Sequence, residues 1–310
     1  VSIITTVTHI SVIIVHYNSD EQTLDCLRSL EKVKLEGATF SVIVVDNASP
    51  KELVVPVSLL EKKLVVLRSE SNLGFTGGNN MGIHYAIERH NSEAIILLNS
   101  DTIVDPDCFQ KLFNHSNTFQ KAGMICPKIY FAPGREYHAQ SYTKDMLGNV
   151  LWYAGGSLDW QHLVAFHRGV DELDQGQFLL QQKSDFATGC CVYIKREVLE
   201  KIGLLDKRYF LYLEDVDLSM SAQLFGYEIH YVDAAKVWHV NAGSSKGAGS
   251  IIHTYYQTRN RLLFFFLYGD LRVRITVLRL ALRYLLTGTR FERLAVLHCI
   301  TGQLGKQPIV

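Results

Sequence analysis

Uninterrupted apolar runs rich in Val and Ile recur through the first third of the chain: "ISVIIVHY" (10–17), "FSVIVVDN" (40–47), "LVVLRS" (64–69) and "AIILLNSD" (94–101). Short runs of this kind suit strands covered on both faces, the usual state of a parallel sheet. The segments between them carry helical spacing. "DEQTLDCLRSLEKV" sets Leu24, Leu27 and Leu30 on one face, and "GGNNMGIHYAIERH" is capped by small polar residues at its start. The βαβαβ alternation predicts a doubly wound α/β unit, in which ligands bind where the carboxyl ends of the strands open.

Polar residues end every one of these strands. His16, Tyr17 and Asn18 follow the first; Asp46, Asn47 and Ser49 the second; Asn72, Gly74, Asn79 and Asn80 the third; Asn99 and Asp101 the fourth. Four polar ends at one sheet edge predict a shared pocket. Farther on, 125–183 mixes Gly, Pro, Tyr and Trp without strong periodicity and reads as short strands within a long excursion. "DFATGCCVYIKREVLEKIGLLD" predicts a strand and a helix, and the stretch from Tyr209 predicts a helix and then strands ending at His239. The last forty residues read as helical and basic.

Composition adds that 310 residues at 47% hydrophobic can bury a substantial core. The formal net charge is zero, yet seven Arg or Lys and a single acid, Glu292, lie from Leu271 onward, so a basic tail follows an acidic body. No nucleic-acid partner is expected. The six cysteines have no metal-like spacing and read as reduced thiols of a cytoplasmic protein. Val1 to His9 lacks the charged start of a secretory signal, and the longest apolar run, Leu262 to Leu267, is far short of the roughly 20 residues that span a bilayer.

Three places carry candidate chemistry, each with a plainer alternative. The glycines of "SNLGFTGGNNMG" fit neither a P-loop nor a dinucleotide fingerprint; they either form a turn or let backbone N–H groups approach a phosphate or ribose. Asp101 and His239 are each an ordinary strand-end residue or a ligand for a hard cation. "YLEDVDLS" gathers Glu214, Asp215 and Asp217 in four residues, which either offset a helix dipole or, flanked by aromatic and apolar residues, hold a carboxylate with a raised pKa as a general base.

Taken together, the co-linear pieces "VIIVHYN", "VIVVDNAS", "NLGFTGGNNMG", "LLNSDTIVDP", "DFATGCCVYIKREVLEKIGLLD", "YFLYLEDVDLS", "GYEIHYV", "VWHV" and "YYQTRN" resemble the bacterial inverting glycosyltransferases of family 2, and among them the rhamnosyltransferases of surface polysaccharide synthesis such as O-antigen. The resemblance implies a GT-A fold, a Rossmann-like α/β architecture with a mostly parallel sheet flanked by helices. It implies a domain over 1–268, with a nucleotide-binding half at about 1–130 and an acceptor-binding half at about 131–268, and a basic amphipathic helical region over 269–310.

Residue by residue, it implies that Tyr17, Asn18, Asp46 and Asn47 hold the base and ribose of a nucleoside diphosphate sugar, dTDP-rhamnose being favoured. Asn72, Gly78 and Asn79 would line the same pocket. Asp101, last residue of a degenerate DxD motif reading Asn99-Ser100-Asp101, and His239 would hold a divalent cation, Mg²⁺ or Mn²⁺. Asp215 would be the base, with Glu214 beside it, and Arg259 and Asn260 would lie near the diphosphate. The acceptor would be a saccharide or a lipid-linked sugar.

The QxxRW motif of processive members is missing, which favours adding one sugar or a few. Arg272, Arg279 and Arg283 fall on one helical face, suited to an anionic membrane at the inner face of the plasma membrane; packing in a homo-oligomer or on the core is the alternative. Two other classes stay in view: a nucleotidyltransferase, whose Gly-rich basic loop after the first strand is replaced here by "HYNSDEQ", and a sugar-nucleotide-binding protein without turnover.

Overall fold

The computed structural model describes residues 7–60, 64–179, 182–240 and 249–309. The first six residues, read above for a signal, and most of the Gly- and Ser-rich run after His239 lie outside the described residues. Eleven strands are described: β1 (Thr8–His16), β2 (Ala38–Asp46), β3 (Leu64–Arg68), β4 (Ala94–Asn99), β5 (Thr102–Val104), β6 (Ala122–Phe131), β7 (Leu151–Tyr153), β8 (Gly156–Asp159), β9 (Val164–His167), β10 (Cys191–Lys195) and β11 (Glu228–His239). The helices are α1 (Asp20–Leu30), α2 (Val57–Leu60), α3 (Gly74–His90), α4 (Cys108–Thr118), α5 (Arg196–Ile202), α6 (Glu214–Leu224), α7 (Ile251–Tyr268), α8 (Leu271–Thr287) and α9 (Arg290–Ile300).

The main sheet runs β3-β2-β1-β4-β10-β6-β11-β5, with β7 on β6. Its first four strands are parallel, as the unalternating Val/Ile runs require: Val12, Ile13, Ile14, Ile43, Val44 and Ile95 have essentially no exposed surface. Strand β10 enters antiparallel between β4 and β6, and β11 returns parallel to β6.

Register decides where the polar ends fall. His16 pairs with Asp46, Val15 with Asn99, and Asp46 with Arg68, so the carboxyl ends of four neighbouring strands finish level. Helix α3 lies close on this sheet through its glycines. A Cβ on Gly78 would sit 2.8 Å from Val15, and one on Gly82 would sit 2.4 Å from Ile13.

Helix α7 is driven inward by Leu262, Leu263, Phe264 and Phe265 and packs on α8 and α9. Helix α8 buries only Val277 and Ala281. Among the described residues no helix is long and apolar enough to cross a membrane. All six cysteines are free.

Candidate active site

The level strand ends collect Tyr17, Asn18, Asp46, Asn47 and Asn72 at one edge, but these residues do different work. Tyr17 is on the surface, and Asn18 beside it takes a left-handed turn (φ 51) whose amide donates to Ser49 Oγ at 3.0 Å. Asp46 is buried. It accepts from the Ser49 amide at 2.9 Å and pairs with Arg68, whose half-exposed side chain reaches solvent and also meets the exposed Glu52 at 3.4 Å. Burial alone would raise the Asp46 carboxyl; Ser49 and the Arg68 guanidinium outweigh it and hold the pKa below the usual range.

Asn47 is also interior. Its Nδ2 donates to the Gly74 carbonyl at 2.9 Å and to Asn72 Oδ1 at 3.3 Å, while its Oδ1 accepts from the Leu73 amide at 2.8 Å. It therefore shapes the turn that starts α3. Asn79 is buried, with Nδ2 donating back to the Phe75 carbonyl at 2.9 Å, and Gly78 faces Val15. Both bear on helix placement.

Asp101 and His239 do meet. Strand β5 pairs antiparallel with β11, matching Thr102 with His239, and the Val240 amide donates to the Asp101 carbonyl at 2.8 Å. That ladder brings His239 Nε2 to 3.1 Å from Asp101 Oδ1. Trp152 stands edge-on to the imidazole, ring centres 4.6 Å apart, and Nδ1 is buried with no partner among the described residues. One imidazole nitrogen and one carboxylate oxygen at this separation fit a hard or borderline divalent cation that keeps its other positions open. No cluster of three or more His, Cys, Asp or Glu suited to a metal exists among the described residues.

The three carboxylates of α6 separate into three environments. Asp217 is buried and locked by the hydroxyls of Tyr209 at 2.8 Å and Tyr268 at 3.0 Å; burial still pushes it up to about 6. Glu214 is buried with Oε2 unpartnered among the described residues, and desolvation followed by the Asp215 charge pushes it well above the carboxylate range. Asp215 is partly buried. Its Oδ2 accepts from the Gly189 amide at 2.8 Å and its Oδ1 from the Val216 amide at 2.9 Å; burial raises its pKa against those two donors. Burial and the neighbouring charge thus both favour the protonated form of Glu214 relative to a free carboxyl.

The Asp215 site lies beside the Asp101 site. The Asn99 amide donates to the Cys190 carbonyl at 2.8 Å, and Gly189 next to it holds Asp215. The buried Cys190 thiol is raised first by burial and then by both the Asp101 and Asp215 carboxylates.

Arg259 and Asn260 are interior. Both side chains have no exposed surface, because the apolar residues of α7 carry them inside; Arg259 donates to Asn260 Oδ1 and to the carbonyls of Arg208, Tyr209 and Gly305, and Asn260 to those of Tyr209, Leu211 and Tyr212.

Glycosyl transferase family 2 matches residues 11–203. The chain belongs to this family. Its fold is the GT-A fold of such enzymes. The family 2 chain is 26% identical over 255 residues to the low-salt glycan biosynthesis hexosyltransferase Agl10 of Haloferax volcanii, across 82% of this chain and 74% of that one. It is 23% identical over 212 residues to the N-acetylglucosaminyl-diphospho-decaprenol L-rhamnosyltransferase of Mycobacterium tuberculosis, across 66% and 68%. Among solved structures it is similar to GalNAc-T7 with UDP, GalNAc and Mn²⁺, with a TM-score of 0.60 at 18% identity, over 88% of this chain and 55% of that one.

Sequence reasoning missed Arg68 and Gly189 in this family 2 chain. Arg68 ends a predicted strand level with Asp46, and that pairing was the available signal. Gly189 had only its place before "CCVYIK"; its contact with Asp215 spans 26 residues and has no local mark.

Proposed function

We propose that this family 2 chain is an inverting glycosyltransferase that moves a sugar from a nucleoside diphosphate donor, with L-rhamnose from dTDP-rhamnose the leading candidate, onto a saccharide or lipid-linked acceptor of cell-surface polysaccharide. The observation that carries the reading is a partly buried Asp215, held by the Gly189 amide, at the strand end next to the one that presents the Asp101–His239 pair. The donor half is assigned to residues 1–130 and the acceptor half to 131–268.

Asp215 takes the proton of the acceptor hydroxyl as that oxygen attacks the anomeric carbon. The bond to the diphosphate breaks with its electron pair leaving on the phosphate oxygen, and attack from the opposite face inverts the centre. Burial and the Asp215 charge raise the Glu214 carboxyl, which favours Asp215 as the member of the pair that ionises, and its own raised pKa makes Asp215 a stronger base. Asp101 and His239 would hold Mg²⁺ or Mn²⁺, which when bound neutralises charge on the leaving diphosphate. GalNAc-T7 binds UDP and Mn²⁺, and the mycobacterial relative is named for L-rhamnosyl transfer; these support the donor class and the sugar.

The test is a panel of dTDP-, UDP- and GDP-sugars with and without cation, read by product formation and the anomeric configuration of the product. Transfer from dTDP-rhamnose with inversion is expected. Turnover with another sugar replaces the rhamnose assignment, and pyrophosphate release from a nucleoside triphosphate replaces the class.

Helix α8 supports attachment at an anionic bilayer. Leu271, Ile275, Leu278, Leu282 and Leu286 recur at helical spacing and are all exposed, with Arg272, Arg279 and Arg283 on one flank and Arg274 on the other. The chain is expected to sediment with phosphatidylglycerol-containing vesicles and not with pure phosphatidylcholine, and Leu278→Glu with Leu282→Glu to abolish the difference. Dimerisation through α8, lost in the same variant, is the competing outcome.

A further inference from the structure

Helix α6 is entered through a turn that side chains seldom adopt. Phe210 (φ 65), Tyr212 (φ 70) and Leu213 (φ 64) all lie in the left-handed region, where bulky residues persist only when their surroundings hold them. The next two residues are Glu214 and Asp215. The position of the proposed base is therefore set by a turn whose local preference is to be elsewhere.

The carbonyls of that turn are nearly all taken. Asn260 Nδ2 lies 3.0 Å from the Tyr209 carbonyl, 2.7 Å from that of Leu211 and 2.8 Å from that of Tyr212, sharing its two hydrogens among them. Arg259 donates to the carbonyls of Arg208 at 2.9 Å and Tyr209 at 2.8 Å, and its Nε donates to Asn260 Oδ1 at 2.9 Å, which fixes the amide's orientation. A fourth Arg259 bond, at 2.6 Å to the Gly305 carbonyl, ties in the chain after α9, and the Gly305 amide returns to the Arg208 carbonyl at 2.7 Å. The remaining carbonyl, that of Phe210, accepts from the Thr76 amide at 3.3 Å, and a Cβ on Gly74 would stand 2.3 Å from it. The turn is thus held by α7 on one side and seated on the start of α3 on the other.

We infer that Arg259 and Asn260 are positioning residues for the Glu214–Asp215 pair, acting through the backbone of residues 208–213. The guanidinium is itself fixed over the rings of Tyr255, at 5.5 Å, and Tyr256, at 4.8 Å. A planar fork and a primary amide are suited to gathering several carbonyls at fixed angles, and a lysine ammonium or a hydroxyl is not. The inference rests on Asp215 being the base.

The test uses the full chain carrying Arg259→Lys or Asn260→Ala, with donor and acceptor at saturation and over a pH series. The expected result is a kcat lower by about tenfold or more, a donor KM within about twofold, and a displaced acidic limb of the pH profile, since the carboxylates shift while the donor edge stays. Wild-type kcat and pH profile in the folded variants, with only a lower melting temperature, would overturn it. Tyr212→Gly in the Asn260→Ala background is expected to recover part of the lost kcat, or of folding if Asn260→Ala does not fold, because glycine takes a φ near 70 unaided. Additive loss counts against the inference. Amide exchange over 211–216 is expected to accelerate in Asn260→Ala whether or not Asp215 is the base, and retained turnover in Asp215→Asn marks failure of the base assignment alone.

Discussion

The Gly189 amide donates to Oδ2 of Asp215 at 2.8 Å, so a backbone group at the entrance to β10 sets the direction of a carboxylate on α6. A Cβ at Gly189 would come within 2.9 Å of the Phe75 ring and 3.6 Å of the Asp215 Cβ. Gly189→Ala is expected to lower kcat about 10- to 100-fold by displacing the carboxylate a fraction of an ångström to an ångström. Steady-state transfer assays check this; an unchanged kcat removes Gly189 from the site.

Asp215→Asn is expected to cost about 10²- to 10⁴-fold in turnover and to leave nucleotide affinity, read by calorimetry, as in the wild type. Glu214→Gln behaves differently. Burial, then the Asp215 charge, favours the neutral form of Glu214, which glutamine imitates, so activity should stay within a few-fold. The acidic limb of the wild-type profile should lie above the ordinary carboxylate pKa of about 3.9, in the direction burial moves Asp215.

Asp217 supplies a pH-dependent stability difference. Its folded pKa of about 6 exceeds its ordinary 3.8, so the folded state holds the proton more tightly. The stabilisation this gives is complete below the lower value and lost as pH rises through the upper one. Asp217→Asn keeps an acceptor for Tyr209 and Tyr268 without titrating, so its stability relative to wild type should improve by roughly 2 kcal/mol between pH 4 and pH 7. Thermal unfolding of both proteins across that range reads the difference; a constant offset would contradict it.

Asp101→Asn and His239→Ala should each weaken cation-dependent nucleotide binding by more than about a hundredfold, because loss of outer partners alone costs 10- to 100-fold at metal sites. The measurement is the increment that Mn²⁺ adds to the melting temperature in the presence of nucleoside diphosphate. Persistence of that increment in both variants would move the cation elsewhere.

Gly78→Ala separates packing from ligand contact. Its Cβ would press on Val15 at 2.8 Å, and overpacking of this kind costs about 1–3 kcal/mol. Lower stability with unchanged nucleotide affinity is expected, and a selective loss of affinity would return Gly78 to the pocket.

Strands β1, β2 and β4 were legible because residues buried on both faces leave a continuous apolar run that needs no partner to recognise; β3 carries such a run although Val66 is exposed. Helix α3 was legible from its polar start, whereas its contact face, Gly78 and Gly82, carries no apolar stripe. The carboxylates of α6 could be found but not sorted, since what distinguishes Asp217 is Tyr268, 51 residues away. Arg259 and Asn260 read as neighbours of the diphosphate only through the resemblance carried by "YYQTRN". Their partners are carbonyls, which every residue has and which leave no trace in sequence. The Asp101–His239 contact depended on β5, a strand of three residues too short to announce its register.

Asp101 and His239 stand 138 residues apart in the chain, and the short edge strand β5 must dock on β11 before they meet. A contact of that span costs loop entropy before it rewards the chain. A spectroscopic reporter on their approach, followed during refolding, would mark the moment when the far edge of the sheet is complete.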